Sequence, residues 1–89
     1  MPRQVLEEIL KHYPLEKDRN LITRSFEFAK LAHAGQKRFS GEEYIIHPVR
    51  AALILAHLKM DSSAIAAAIL HDVIDDTKAT PAEMEKEFG

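Results

Sequence analysis

The sequence predicts an all-α fold, a bundle of about five helices. Three observations point there. Apolar residues recur at helical spacing along most of the chain, and no segment alternates as a half-buried strand would. Gly35, Gly41 and Gly89 are the only glycines, and they stand where apolar-periodic runs end. Caps and prolines divide the chain into short helices with short connections, which pack consecutive helices as antiparallel neighbours.

Val5, Leu6, Ile9 and Leu10 form the apolar stripe of a first helix, which Pro14 stops. Asp18 or Asn20 is the expected cap of a second helix. Its apolar positions run from Leu21 through Phe26, Ala29 and Ala32 to Gly35, which suits the residue just past a helix end. Residues 36–44 read as a polar loop. Pro48 is expected at the first helical position with His47 as N-cap, opening a third helix over 49–59. That helix is apolar almost all round, which predicts a central place. Asp61 or Ser62 is expected to cap a fourth helix over 63–75. Thr80-Pro81-Ala82-Glu83 is a capping box with proline at the first helical position, and it opens a fifth helix ending at Phe88-Gly89.

Composition narrows the function. The 89 residues carry 12 Lys plus Arg against 14 Asp plus Glu, a formal charge of −2, with 46% hydrophobic and 29% charged residues. This is the balance of one globular domain and excludes disorder. The charge lacks the positive excess on which non-specific nucleic-acid binding depends, so no DNA partner is expected. There is no Cys, which excludes disulfides, thiolate metal sites and Cys nucleophiles. No apolar run reaches the roughly 18–20 residues of a bilayer span, so no membrane partner is expected, and a cytoplasmic location is.

The chemistry concentrates in His71-Asp72-Val73-Ile74-Asp75-Asp76. Three carboxylates at a helix C-terminus oppose the helix dipole, which invites a compensating cation. A solvated helix end with a capping Asp is the bland alternative. Topology weighs against it. With the turn near Met60 and Asp61, His47 lies 13 residues before Met60 and His71 lies 11 after it. Both arms are therefore about 16–20 Å long at ~1.5 Å per residue. An antiparallel hairpin brings His47 beside His71 and Asp72, and Ala64, Ala67 and Ala68 allow the helices to approach closely. Two imidazoles and a carboxylate without thiolates favour Mn²⁺, Fe²⁺ or Zn²⁺. A metal there can activate water and polarise a phosphoryl oxygen, with Asp75 or Asp76 to position or deprotonate the water. Lys37, Arg38 and Ser40 form a basic, hydroxyl-bearing loop leading into His47, suited to a phosphate or base contact and equally to a solvated turn. His12 and His33 read as cations at helix ends, and His57 as structural.

Four segments together resemble a known family. They are His33-Ala34-Gly35-Gln36-Lys37-Arg38, Ser40-Gly41-Glu42, Tyr44-Ile45-Ile46-His47-Pro48, and Ala68-Ile69-Leu70-His71-Asp72-Val73-Ile74-Asp75-Asp76-Thr77. In this order they are similar to the N-terminal HD hydrolase domain of the RelA/SpoT-homologue proteins. The resemblance implies an HD-domain-like helical bundle and a Mn²⁺-dependent enzyme of the stringent response. Such enzymes remove the 3′-pyrophosphate from (p)ppGpp to give GDP or GTP. It implies His47, His71 and Asp72 as metal ligands, Asp75 and Asp76 as the catalytic acidic pair, and Arg38 and Ser40 in the loop that contacts the guanine nucleotide. The family's acidic pair is usually Glu-Asp, and its Ser-Gly-Glu is usually followed by Pro, where this chain has Glu43. Its fourth ligand is an Asp on a later helix. The chain is therefore expected to represent about the first half of such a domain, to be weakly active alone, and to associate through exposed apolar helices as a homodimer or higher oligomer. A non-catalytic helical regulatory module and an HD-type phosphohydrolase of another nucleotide are the competing readings.

Overall fold

The computed structural model describes residues 2–88, with Asp76 as backbone only. Among the described residues six helices follow one another: α1 Pro2–Leu10, α2 Glu16–Ala32, α3 Ile46–His57, α4 Ser62–Leu70, the single turn α5 Val73–Asp76, and α6 Pro81–Phe88. The only extended pairing among the described residues is one isolated antiparallel bridge, Lys37 with Glu43. The all-α expectation therefore holds.

The core forms where the apolar stripes meet. Leu6 and Ile9 of α1, Ile22, Phe26 and Ala29 of α2, Val49, Ala52 and Ala56 of α3, and Ile65 and Ile69 of α4 are all buried. α4 packs against both α2 and α3, and α3 packs against α1. Small residues at the contacts let the helices close together: Ala52 and Ala56 on α3, and Ala66 on α4, are buried. Polar ties lock the ends. Tyr13 donates its hydroxyl to the Met60 carbonyl at 2.5 Å. Arg19 donates to the Leu10 carbonyl at 2.8 Å, at the open end of α1.

Two expected caps are present. Asp61 accepts from the Ala64 amide at 2.9 Å. Thr80 and Glu83 form the reciprocal capping box, with the Thr80 amide donating to Glu83 at 2.9 Å and the Glu83 amide donating to Thr80 Oγ1 at 3.2 Å. Gly89, expected to close that helix, lies outside the described residues.

Three expectations are corrected. α2 begins at Glu16 behind Leu15, which makes no side-chain cap. Asp18 instead lies in the first turn and accepts from Ser62 Oγ at 2.8 Å, joining α2 to α4. α3 begins at Ile46, so His47 is inside the first turn rather than its cap. Pro48 is tolerated there because first-turn amides have no intrahelical partner. The fourth helix does not run to Asp75: it stops at Leu70 and resumes as α5. Asp72 rests at φ −96° and ψ 0°, in the bridge region, where the helical ladder loosens. Ile69 and Val73 are both fully buried, so the core grips the chain on either side of this break.

The segment between α2 and α3 is a closed loop. Arg38 N donates to Glu42 O at 3.0 Å, Tyr44 N to Gln36 O at 3.0 Å, and Gly41 N to Arg38 O at 2.8 Å. Gly41 has φ +89°, a conformation that glycine adopts without steric cost.

Candidate metal and nucleotide site

The break between α4 and α5 presents His71 and Asp72. His71 Nδ1 lies 2.6 Å from the Ala68 carbonyl oxygen. A carbonyl only accepts, so Nδ1 carries the proton and donates. His71 Nε2 then faces Asp72 Oδ2 at 3.2 Å. On a neutral imidazole these are two electron-pair donors turned toward each other. A proton on Nε2 or a metal ion between them reconciles the pair. Backbone anchoring of the distal ring N–H is also how metal-binding histidines are commonly oriented. His71 and Asp72 therefore offer two of the donors that a divalent ion would take.

Tyr44 joins this pair to the loop. Its hydroxyl donates to Asp72 Oδ2 at 3.2 Å. Its ring meets the His47 ring edge-on, 6.3 Å between centroids. On its other side it stacks on His33, with centroids 4.7 Å apart and planes 27° from parallel. His33 is 2% exposed. Its Nδ1 donates to Gln36 Oε1 at 3.0 Å. Its Nε2 has no hydrogen-bond partner among the described residues. Leaving such a group unpaired in the interior costs about 1–3 kcal/mol.

His47 is held differently. Arg38 Nη1 lies 3.3 Å from His47 Nδ1. A guanidinium only donates, so in this contact Nδ1 accepts. Among the described residues no three His, Asp or Glu side chains gather closely enough to hold an ion in this arrangement. The structure thus brings His71 and Asp72 together and links His47 to them through Tyr44.

The remaining residues expected at the site spread over its rim. Lys37 and Arg38, with Phe39 and Tyr44, line a groove beside His47. Ser40 is exposed and its Oγ accepts from the Glu42 amide at 3.4 Å. Glu42 is turned aside by Arg50, which donates to both its oxygens at 3.4 and 3.2 Å. Asp75 is exposed on α5. The Asp76 side chain lies outside the described residues.

Sequence reasoning missed His33, Phe39 and Tyr44. His33 reads locally as a helix-end cation, whereas it is a buried ring following the last turn of α2. Phe39 is fully exposed in a polar loop, and an aromatic side chain between Arg38 and Ser40 was the signal that could have drawn attention to it.

The profile of a family described as an HD domain matches residues 25–89. The chain belongs to the HD-domain family. It is 50% identical over 84 residues to a guanosine-3′,5′-bis(diphosphate) 3′-pyrophosphohydrolase of Aquifex aeolicus, which covers 94% of this chain and 12% of that relative. It is 45% identical over 84 residues to the bifunctional (p)ppGpp synthase/hydrolase SpoT of Escherichia coli, with the same shares of each. It is also 39% identical over 80 residues to a GTP pyrophosphokinase of Myxococcus xanthus, covering 90% of this chain and 11% of the relative. The HD-domain chain thus spans about one-eighth of the length of these relatives. The resemblance read from the four motifs agrees with this family assignment.

Proposed function

We propose that the chain supplies the metal- and nucleotide-binding part of a Mn²⁺-dependent (p)ppGpp 3′-pyrophosphohydrolase, releasing GDP or GTP and pyrophosphate in the cytoplasm. The observation that carries the reading is the His71–Asp72 pair, whose opposed donors want a cation. The basic groove beside it and the hydrolases among the relatives support the same substrate class.

His47, His71 and Asp72 are the residues that would hold the ion. A divalent ion held there would lower the pKa of a bound water and polarise a phosphoryl oxygen. Arg38 leaves His47 to meet a substrate phosphate, where a forked guanidinium is worth more than on a neutral ring. Lys37 adds a second positive charge and Ser40 a hydroxyl donor. Phe39 offers an exposed face on which a purine stacks. Asp75, on the turn after the ligands, orients the attacking water or takes its proton, and Asp76 is proposed for the same work. With only these three residues to hold it, the ion would be bound weakly, so turnover by these 89 residues alone is expected to be slow.

The test measures Mn²⁺ binding by electron paramagnetic resonance and Mn²⁺-dependent pyrophosphate release from (p)ppGpp. One tight Mn²⁺ site, lost in His71→Ala, together with (p)ppGpp binding that needs the 3′-pyrophosphate, is the expected result. A chain that binds neither ion nor nucleotide is a helical regulatory module, and the proposal is then wrong.

A further inference from the structure

We infer that Tyr44 is a positioning residue for the Asp72 carboxylate, and that the buried His33 ring is the platform that aims it; the inference deepens the metal-site reading above. Three contacts carry it. The Tyr44 hydroxyl donates to Asp72 Oδ2, the oxygen that also faces His71 Nε2. A carboxylate on a loosened helical turn can rotate, and a donor on that oxygen selects the rotamer that points it at His71. The Tyr44 ring stacks on His33, 27° from parallel, so the direction of its hydroxyl is set against a buried surface.

The third contact explains why a histidine is buried there. With one nitrogen unpartnered, imidazole is a poor choice for a core that only needs filling. A histidine combines what neither Leu nor Phe has together: a flat face for Tyr44 and an Nδ1–H that holds Gln36. The Gln36 carbonyl in turn accepts from the Tyr44 amide, which pins the backbone of the aiming residue. The ordering therefore runs from the buried end of α2 through Tyr44 to the break between α4 and α5. Partners that orient metal ligands in this way are typically worth about 10–100-fold in metal affinity.

The experiment uses the 89-residue chain as wild type, Tyr44→Phe, His33→Leu and Tyr13→Phe. Metal-free NMR follows the Asp72 carboxyl carbon and the His71 ring nitrogens, and a Mn²⁺ titration gives the dissociation constant. Tyr44→Phe keeps the stacked ring and removes only the hydroxyl. It is expected to move both sets of resonances and to weaken Mn²⁺ binding about tenfold, with helix content unchanged. His33→Leu is expected to reproduce the Asp72 displacement with the Tyr44 hydroxyl intact; Tyr44→Phe decides the matter if that variant does not fold. Tyr13→Phe loses a hydroxyl bonded to Met60, away from the site, and is expected to do neither. Unmoved Asp72 and His71 resonances in Tyr44→Phe, or Mn²⁺ affinity within twofold of wild type, overturn the inference. A wild-type chain that takes up no Mn²⁺ removes the metal-site reading instead, and the resonances alone then decide whether Tyr44 aims Asp72.

Discussion

Tyr13 keeps its ring in the core and sends its hydroxyl to the Met60 carbonyl. Burial pushes that phenol above its ordinary value of 10.0, and the nearby Asp61 and Asp18 carboxylates add to the rise. The folded state therefore holds the Tyr13 proton more tightly than the unfolded chain does. The associated stability is complete below the unfolded value near 10 and is lost as pH climbs through the folded one. Urea melts between pH 8 and 11 are expected to show this alkaline loss, and Tyr13→Phe to flatten it while costing about 1 kcal/mol at neutral pH for the missing hydrogen bond. At the site, Arg38 has two partners in prospect, His47 in the structure and a phosphate in the proposed complex. Arg38→Ala is expected to weaken (p)ppGpp binding by about tenfold or more, the size of a charge-assisted hydrogen bond. Mn²⁺ affinity, measured in the same preparation, is expected to hold or rise because His47 Nδ1 is released. A fall in Mn²⁺ affinity would contradict that division of labour.

At the scale of elements, the turn between α3 and α4 carries an avoidable cost. Lys59 N donates to Ala56 O at 3.0 Å and Met60 N to Leu55 O at 3.2 Å, the pair of bonds that closes a helix in a Schellman motif. The motif needs a left-handed residue, and Lys59 takes φ +61°. An L-residue with a β-carbon pays about 1–2 kcal/mol there. Glycine gives back roughly 0.5–1 kcal/mol through its freer unfolded state. Lys59→Gly is therefore expected to stabilise by about 0.5–1 kcal/mol, read as a higher urea midpoint with an unchanged slope. α6 is the opposite case. It buries no residue fully and is attached through Met84, which packs against the core, through Phe88, whose ring meets Phe28 at 5.5 Å and lies under Arg24, and through the Arg24–Glu87 pair. Its capping box adds to these contacts in keeping it helical.

Over the whole molecule, the backbone spans 31 × 31 × 17 Å, a slab only about two helices thick. Such a shape leaves apolar side chains outside. Ile54 and Leu58, one turn apart at the end of α3, are 62% and 68% exposed, and Met60 follows them. We expect self-association through this patch. Light scattering is expected to give a mass above the monomer, and Ile54→Glu to lower it; a clean wild-type monomer at high concentration would refute this. Metal binding should also register globally. An ion that binds only the folded chain at 100 times its dissociation constant adds ~2.7 kcal/mol. Mn²⁺ is thus expected to raise the thermal midpoint of wild type reversibly with EDTA, and to leave His71→Ala unchanged.

What the sequence determined by itself is whatever closes within about one helical turn, or is carried by the order of motifs. The helical spacing, the Asp61 cap, the Thr80–Glu83 box, the absence of thiol chemistry and the family resemblance are all of that kind. Adjacency in the chain also placed His71 beside Asp72. The tertiary structure decided the rest. At the break between α4 and α5, the Asp72 carboxylate takes its hydrogen bond from a tyrosine 28 residues away. Asp18, inside the first turn of α2, takes its hydrogen bond from Ser62, 44 residues away. His33 looks like any helix-end histidine until α2 is packed and the loop folds Tyr44 onto it. Local hydrogen bonds compete on nearly equal terms, each worth about 1 kcal/mol net. A partner delivered by packing is enough to choose among them, and no window along the sequence contains that partner.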